Sequence, residues 1–208
     1  MFISFEGGEG AGKTTLIERL YQQLLQQGKK VIETRAPGGT VVGNLIREIV
    51  LDKKSLSLSS RCELLLFLAD RAQHVEEVIK PALASHTTVL CDRFNDSTVA
   101  YQGSGRGFGE EWVHKLCAFA TQDLQPDLTF YLDLDPEKGF LRVKNRVKDR
   151  IEKESLEFHQ KIRKAYLNIA KQEPYRFHVL DASCSSDEVY AQAHKIIASH
   201  GIGSCSHT

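Results

Sequence analysis

A glycine-rich stretch near the start of the chain constrains the fold more than any other feature. It reads GGEGAGKT over residues 7–14 and fits the phosphate-binding pattern G-x-x-x-x-G-K-[ST] at each fixed position. The apolar run Phe2–Glu6 precedes it and predicts a strand, and helix-favouring residues follow it. A loop between a strand and a helix can direct backbone N–H groups and the positive end of the helix dipole at a phosphate. The sequence therefore predicts a site for a nucleoside triphosphate.

The residue types of this stretch, called the phosphate loop below, indicate how the nucleotide is held. The members expected to contact it are Gly7, Gly8, Glu9, Gly10, Ala11, Gly12, Lys13 and Thr14. We expect the ammonium group of Lys13 to reach the β- and γ-phosphates and the hydroxyl of Thr14 to join the shell of Mg²⁺. The alternative is a glycine-rich turn without a ligand, but the glycine spacing, the Lys-Thr pair and the flanking elements all favour the phosphate site.

Strands alternate with helices along the 208 residues. Short apolar segments bounded by turn residues or charges predict strands at Phe2–Glu6, Lys30–Thr34, Thr87–Asp92, Leu128–Asp133 and Arg176–Asp181. This alternation predicts an α/β fold with a five-stranded parallel sheet and ligands at the carboxyl ends of the strands. Together with the phosphate loop, this alternation predicts a three-layer α/β/α fold of the P-loop NTPase type. No linker divides the chain, so we expect a single domain over residues 1–208.

One predicted helix is unusually long. Ser60 and Glu63 fit a capping box at its start, and apolar positions continue to about Ile79. Within this helix, Phe67 and Arg71 stand four residues apart and therefore share a face. An aromatic ring and a guanidinium on one face can stack on a planar base and hydrogen-bond it, although a phenylalanine at such spacing is more often part of the core.

Polar side chains also follow the predicted second and third strands. Asp92 can hold Mg²⁺ directly or through water, and Arg93 offers a planar guanidinium to a second phosphate. The alternative for this pair is a local Asp–Arg contact that caps the strand. Arg47, on the helix after the second strand, can reach a bound monophosphate or simply be an exposed charge. Residues 96–107 include Gln102, whose amide matches the edge of a pyrimidine, and without further information they form a loop.

A basic run over residues 142–150 predicts a mobile element. It contains five basic residues and one acidic residue, whereas the whole chain carries 27 of each. This composition is typical of a flap that closes over phosphates, and the alternative is a solvated helix face. We expect a short mobile lid at about residues 142–152 and a flexible tail at about 200–208.

The overall composition excludes several classes of protein. Zero net charge argues against a general nucleic-acid-binding protein or a protein bound to an anionic membrane. No apolar run approaches the roughly 20 residues needed to cross a bilayer. Five scattered cysteines without a CxxC pair favour a reducing, cytoplasmic location.

Together these segments resemble the bacterial thymidylate kinases (dTMP kinases). The matching pieces, in the order of the family, are FEGGEGAGKTT, TRAPGGT, the helix with Arg47, LLLFLADRAQHVEEVIKPAL, VLCDR, STVAYQGSGRG, PDLTFYLDLDPEKGFLR and DRIE. The resemblance implies transfer of the γ-phosphoryl group of ATP to dTMP, with Mg²⁺, in the synthesis of dTTP. It also implies a homodimer.

The resemblance assigns the second substrate to particular positions. The residues implied to bind dTMP are Arg47, Phe67, Arg71, Arg93, Thr98, Tyr101 and Gln102. Arg47 and Arg93 would hold its phosphate, and Tyr101 would lie against the deoxyribose, where a 2′-hydroxyl would crowd it. Thymine would lie between Phe67 and the polar groups of the remaining residues.

The family divides by the location of a catalytic arginine. The phosphate loop here contains no arginine, so the chain resembles the type with the arginine in the lid. Arg146 is the first choice for contacting the transferring group, with Arg142 and Arg150 as rivals. The expected catalytic residues are Lys13, Asp92, Arg93 and Arg146. Two features depart from the family: Ala36 replaces a common glutamate, and the lid is about one residue shorter than in some relatives.

Two other functions are compatible with the motifs. One is a kinase for another pyrimidine nucleoside monophosphate, such as dUMP or dCMP. The other is a P-loop switch protein that binds partners according to its nucleotide, although the N-K-x-D element of a guanine-specific switch is absent from the sequence.

Overall fold

The computed structural model describes residues 1–51, 57–144, 147 and 149–200, and its centre is one parallel sheet. The strands are β1 (Phe2–Gly7), β2 (Val31–Arg35), β3 (Thr88–Asp92), β4 (Leu128–Asp133) and β5 (Phe177–Asp181), in the spatial order β2-β3-β1-β4-β5. The predicted five-stranded parallel sheet is therefore confirmed; β4 has the predicted bounds, three strands differ by one residue at one end, and β2 differs by one residue at both ends. β1 lies in the middle, so the phosphate loop that follows it emerges at the centre of the carboxyl edge.

Nine α-helices occur in the described part of the chain. They are α1 (Lys13–Gln26), α2 (Val41–Val50), α3 (Ser60–His74), α4 (Lys80–Ala84), α5 (Asn95–Thr98), α6 (Glu110–Thr121), α7 (Pro136–Arg142), α8 (Leu156–Gln172) and α9 (Ser186–Ser199). Two π-helical segments, Val75–Ile79 and Val99–Gly105, continue α3 and α5. Among the described residues, no helix combines the length and the apolar character that crossing a membrane requires.

Helices cover both faces of the sheet, as the predicted three-layer arrangement requires. On one face, Phe5 of β1 packs in an apolar cluster with Leu20 of α1 and Ala193 of α9. On the other face, the ring of Tyr131 of β4 stacks on that of Tyr166 of α8, with ring centres 4.6 Å apart. Alternate residues of a strand point to opposite faces, so both layers are anchored by the same strands.

The start of α3 differs from the predicted capping box. Ser59, and not Ser60, is the N-cap, because its hydroxyl accepts the backbone N–H of Cys62 at 3.3 Å. Glu63 does not cap the helix, since its carboxylate lies in the interior and accepts hydrogen bonds from Arg106. The predicted capping box is therefore wrong.

The long helix that begins with α3 was expected to end near Ile79, but helical structure continues beyond this residue. The π-helical segment Val75–Ile79 leads directly into α4, and Pro81 lies in the first turn of α4. A proline is tolerated in a first turn because its missing N–H is not needed there. The helical structure therefore ends at Ala84.

The segment that follows Phe94 is helical, so the expectation of a loop at residues 96–107 is wrong for most of its length. α5 and the π-helical segment Val99–Gly105 cover it, and the side chains of Val99, Ala100 and Tyr101 are buried. Its glycines serve close packing as well as turning: a Cβ atom on Gly105 would lie 2.7 Å from Cε2 of Phe158. Burial of these side chains favours the helical conformation over the local glycine signal.

Candidate active site

A cavity of about 850 Å³ opens at the carboxyl edge of the sheet. Most of the predicted site residues line it, namely Glu9, Gly10, Ala11, Gly12, Lys13, Thr14, Arg47, Phe67, Arg71, Asp92, Arg93, Thr98, Tyr101 and Gln102. Gly7 and Gly8 do not line it, and Arg146 lies outside the described residues. Residues separated by up to 93 positions, from Glu9 to Gln102, thus meet around one space large enough for nucleotide ligands.

The phosphate loop is held in a tight turn. Gly10 and Gly12 have φ angles of 68° and 90°, a region that favours glycine. A Cβ atom on Gly10 would lie 2.5 Å from the carbonyl oxygen of Gly139, so this position also requires a residue without a side chain. α1 begins at Lys13, and its first N–H groups therefore face the cavity side of the loop.

Lys13 is buried at the base of this loop. Its Nζ donates hydrogen bonds to the carbonyl oxygens of Gly7 and Gly8 at 3.1 and 3.2 Å. These two glycines do not line the cavity, but they hold the side chain of Lys13 in place. Burial, followed by the charge of Arg93, lowers the pKa of Lys13 from its usual value. A bound polyphosphate would oppose this shift, because a nearby anion favours the charged ammonium group.

Asp92 and Thr14 supply oxygen atoms to the same part of the cavity. Oδ1 of Asp92 is buried and has no hydrogen-bond partner among the described residues. Both side chains line the cavity beside Lys13. Mg²⁺ prefers oxygen ligands and is usually held by one or two carboxylates together with substrate phosphates. The buried, unpartnered carboxylate oxygen fits such an ion.

Arg93 follows β3 directly and adopts an unusual backbone conformation. Its φ angle is 69°, and its N–H donates to the carbonyl oxygen of Phe5 at 2.9 Å. The side chain reaches across the cavity, where Nη2 lies 3.3 Å from Oε1 of Glu9 and Nη1 lies 3.3 Å from Oγ of Ser97. Left-handed backbone at a residue other than glycine is costly and concentrates at functional sites. The guanidinium is thereby placed beside the phosphate loop.

Glu6, which is not among the predicted site residues, is a buried acidic residue that contacts the same Ser97 hydroxyl as Arg93. Its carboxylate accepts hydrogen bonds from the backbone N–H of Phe94 at 2.7 Å, from Oγ of Ser97 at 2.5 Å and from the hydroxyl of Tyr166 at 3.0 Å. Burial and the charge of Asp96 raise the pKa of Glu6 to about 7, although Arg93 and the hydrogen bonds lower it. The sequence held no signal for this network, because Glu6 ends the predicted strand Phe2–Glu6, where a charge is ordinary.

Arg71 also lines the cavity, and neighbouring protein groups hold its guanidinium in place. Its Nη1 donates to Oδ2 of Asp70 and its Nη2 to the carbonyl oxygen of Phe94, both at 3.0 Å. Asp70 is buried as well, and its Oδ1 accepts the backbone N–H of Gly38 at 2.8 Å. Nε of Arg71 and Oγ1 of Thr98 are buried without a partner among the described residues. Both residues line the cavity; Nε of Arg71 is therefore a candidate donor to a ligand, whereas the hydroxyl of Thr98 also lies close to the thiol of Cys117.

Arg47 lies on α2 at another wall of the cavity. Its Nη1 donates to the carbonyl oxygen of Pro37 at 2.8 Å. Burial, followed by the charge of Arg35, lowers the pKa of Arg47, as expected where two cations face a common space. Ala36 also lines the cavity and is almost completely buried, so this position contributes no carboxylate to the site.

Two of the three candidate lid arginines lie among the described residues, and both contact protein groups. Nη1 of Arg142 donates to the carbonyl oxygens of Gly10 and Ala182 at 3.2 and 3.0 Å, and thereby connects the phosphate loop to the loop after β5. Arg150 forms an ion pair with Glu63 at 2.6 Å.

Sequence comparisons agree with this geometry. A family model described as thymidylate kinase matches residues 5–193, and this match spans the phosphate loop, the cavity and the sheet. The chain belongs to the thymidylate kinase family. A thymidylate kinase of Desulfovibrio desulfuricans is 46% identical over 208 residues, with 96% of each chain covered. That of Magnetococcus marinus is 51% identical over 183 residues, with 87% of each covered.

A solved thymidylate kinase structure shares the fold. The enzyme of Ehrlichia chaffeensis superposes with a TM-score of 0.79 at 34% identity, and the match covers 95% of this chain and 98% of the other. Membership of the thymidylate kinase family, first suggested by the motifs, is therefore confirmed.

Glu63 is a second residue near this thymidylate kinase site that was not predicted to belong to it, because the sequence pattern assigned it to a helix cap. Its carboxylate accepts hydrogen bonds from Gln102, which lines the cavity, and from Arg106. A signal was present, because Glu63, Phe67 and Arg71 are spaced by four residues and share one face of α3. The local capping pattern masked this relationship.

Proposed function

We propose that this chain is an ATP:dTMP phosphotransferase, which transfers the γ-phosphoryl group of ATP to the 5′-phosphate of dTMP and releases ADP and dTDP. One observation carries the proposal. A single cavity is lined by the phosphate loop, by Arg93, which contacts Glu9 of that loop, and by the group of Phe67, Arg71 and Thr98. The product is the precursor of dTTP.

Charge neutralisation is the main task of the residues in this mechanism. The acceptor is already an anionic phosphate, so the reaction requires no strong general base. The difficulty is to bring two polyanions into line, and preorganised cations reduce that cost. Lys13 would hold the phosphates of ATP, Arg47 the phosphate of dTMP, and Arg93 the group that moves between them. The lid, at about residues 142–152, is proposed to close over the cavity and exclude water. Arg146 of the lid would then contact the transferring group.

Mg²⁺ is proposed as the metal of this reaction. Thr14 and Asp92 would hold the ion, and it would neutralise charge on the phosphates of ATP. The proposal rests on the buried Oδ1 atom of Asp92, which has no protein partner in the described part of the chain. The protein's own contribution is to fix these oxygens near Lys13.

Recognition of the second substrate is proposed to depend on shape and hydrogen bonding. Phe67 would stack on thymine, while Arg71, Thr98 and Gln102 would bind its polar edge. Tyr101 would pack against the deoxyribose, since its ring lines the cavity next to Arg93.

A coupled assay for ADP production, with dTMP, dUMP and dCMP as separate acceptors, tests this function. We expect the highest kcat/KM with dTMP. A preference for dUMP or dCMP would instead support a kinase for another pyrimidine nucleotide. Stoichiometric binding of ATP without turnover on any acceptor would support a nucleotide-dependent switch.

We further propose that two chains form a homodimer through an apolar face on three adjacent helices. α2 packs against α3, and α3 packs against α6. Their exposed large apolar side chains, called the apolar face below, are Val41, Val42, Leu45, Ile49, Leu65, Trp112 and Phe119. Seven exposed apolar side chains on neighbouring helices favour an interface between proteins, because large exposed apolar patches mark such sites. A second copy would remove it from water.

The remaining assignments are also proposals. We infer one domain over residues 1–208; the flexible tail predicted at about 200–208 lies, beyond residue 200, outside the described residues. We infer a cytoplasmic location from the cysteines, four of which are free thiols in the described part of the chain.

A further inference from the structure

Glu63 lies at the centre of a buried network that includes Gln102, a residue that lines the cavity. Only 1% of its surface is exposed. Its carboxylate accepts a hydrogen bond from Nε2 of Gln102 at 2.8 Å and two from Nε and Nη2 of Arg106, both at 3.0 Å. It also forms an ion pair with Nη2 of Arg150 at 2.6 Å. Burial alone would raise the pKa of Glu63, but the hydrogen bonds from Arg106 and Gln102 and the nearby charges hold it below its usual value. The group is therefore an ionised carboxylate.

The contact between Glu63 and Gln102 determines which way the Gln102 amide faces. An ionised carboxylate only accepts hydrogen bonds, so the NH₂ group of Gln102 must be the end directed at Glu63. The amide oxygen is then the end that remains for the cavity, which Gln102 lines. No residue that the structure describes donates a hydrogen bond to this oxygen. Gln102 consequently presents an acceptor, and not a donor, to a ligand.

The bases of pyrimidine nucleotides differ in the pattern that such an acceptor recognises. Thymine and uracil carry a donor at N3 and a carbonyl oxygen at C4. Cytosine carries an acceptor at N3 and an amino group at C4. Arg71, whose buried Nε has no partner in the described chain, can only donate. An arginine donor beside a fixed amide acceptor therefore complements thymine and uracil and opposes cytosine.

We propose that Glu63 is a specificity-determining positioning residue, which orients the amide oxygen of Gln102 toward N3 of the base and so selects against cytosine. This inference rests on the proposed function, because it concerns the acceptor of the same reaction. Glu63 does not touch the substrate and acts only through Gln102.

The substitution Glu63→Gln tests the proposal. An amide in place of the carboxylate can donate to the oxygen of Gln102, so the flipped orientation, with NH₂ toward the base, becomes available. We expect the ratio of kcat/KM for dTMP to that for dCMP to fall about tenfold, mainly through the KM values. The ratio for dTMP to dUMP should stay constant, because these bases share the N3–H and C4 carbonyl groups.

Comparison of the two kcat/KM ratios distinguishes a role of Glu63 in orienting Gln102 from a general loss of activity. A merely structural role for Glu63 would lower turnover of all three nucleotides and leave both ratios unchanged, and that result would overturn the proposal. Glu154→Gln is the matched control, because Glu154 also binds Arg106, at 2.6 Å, but does not contact Gln102. It should leave both ratios unchanged. Glu63→Asp keeps an acceptor-only group and should retain the discrimination against dCMP.

A second variant covers the case in which Glu63→Gln does not fold. Gln102→Leu removes the amide oxygen, so kcat/KM should fall for dTMP and dUMP but not for dCMP. An unchanged ratio of dTMP to dCMP in this variant would overturn the proposal. The unmodified protein distinguishes the two hypotheses: if it does not phosphorylate dTMP, the proposed function fails before the role of Glu63 is addressed.

Discussion

The guanidinium carbon of Arg93 lies 5.3 Å from the centre of the Tyr101 ring. The same side chain reaches the carboxylate of Glu9 in the phosphate loop at 3.3 Å. One arginine thus contacts both the loop proposed to hold ATP and the ring proposed to face the deoxyribose. The cation–π contact and the ion pair restrict its side chain before any substrate binds. A preorganised cation at this point is what phosphoryl transfer between two nucleotides requires.

Replacement of Arg93 should therefore affect turnover more than folding. For Arg93→Ala we expect kcat with dTMP to fall by on the order of 10², the cost of losing one preorganised donor to a transition state. Steady-state kinetics with saturating ATP measures the effect. Arg19→Ala is a suitable control, since Arg19 pairs with Asp187 on the surface and does not line the cavity. A near-normal kcat and an unchanged KM for dTMP would remove Arg93 from the site.

Asp92 should control the dependence of the reaction on Mg²⁺. For Asp92→Asn we expect the Mg²⁺ concentration that gives half-maximal activity to rise roughly tenfold or more, because a charged ligand oxygen near the metal is lost. Titration of activity with Mg²⁺ at fixed ATP measures this shift. Asp133→Asn provides the comparison, as Asp133 also ends a strand but pairs with Arg163. If both variants had the Mg²⁺ dependence of the unmodified protein, Asp92 would not be near the ion.

The parts of the structure that local patterns determine were predictable. β4 occupies the predicted residues Leu128–Asp133, and the phosphate loop lies between β1 and α1 as its flanks indicated. Most of the candidate site residues also line one cavity, since carboxyl ends of parallel strands share an edge. These features depend on periodicity and on short motifs, which a sequence displays directly.

The interactions that were missed join residues far apart in the chain. Glu6 contacts Ser97 and Tyr166, which are 91 and 160 positions away, so nothing next to Glu6 in sequence announces its buried network. Glu63 satisfied a local capping rule, but its desolvated carboxylate requires cations, and Arg106 provides one from 43 positions away. Ser59 then caps the helix instead. Tertiary pairing of a buried charge outweighs a hydrogen bond at an exposed helix end.

The apolar face should govern the assembly of the protein. The double substitution Leu45→Glu and Phe119→Glu places two charges among side chains that are otherwise apolar, and Phe119 is 86% exposed in a single chain. We expect the mass measured by light scattering during size-exclusion chromatography to fall from that of two chains to that of one. Tyr175→Glu, at an exposed aromatic residue outside this face, should leave the mass unchanged. A single-chain mass for the unmodified protein would contradict the proposed dimer.

The buried carboxylate of Glu6 should make stability depend on pH. Its pKa is raised to about 7 in the folded protein, whereas the ordinary value for glutamate is 4.5. Between these values the folded state binds the extra proton, so the stabilisation is complete below about pH 4.5 and is lost as the pH rises through 7. The free energy of unfolding should lose up to about 3 kcal/mol from this group over that range. Glutamine at position 6 cannot titrate and should not show this loss.

Urea unfolding of the unmodified protein and of Glu6→Gln at several pH values between 4.5 and 7.5 measures the effect. The variant should gain stability relative to the unmodified protein as the pH rises. His74, whose pKa burial and Arg71 lower to about 4, contributes the opposite slope, but it is present in both proteins and cancels in the difference. Glu18→Gln, on the exposed side of α1, controls for removal of a carboxylate. A difference between Glu6→Gln and the unmodified protein that stays constant across this range would show that Glu6 titrates as it does in the unfolded chain.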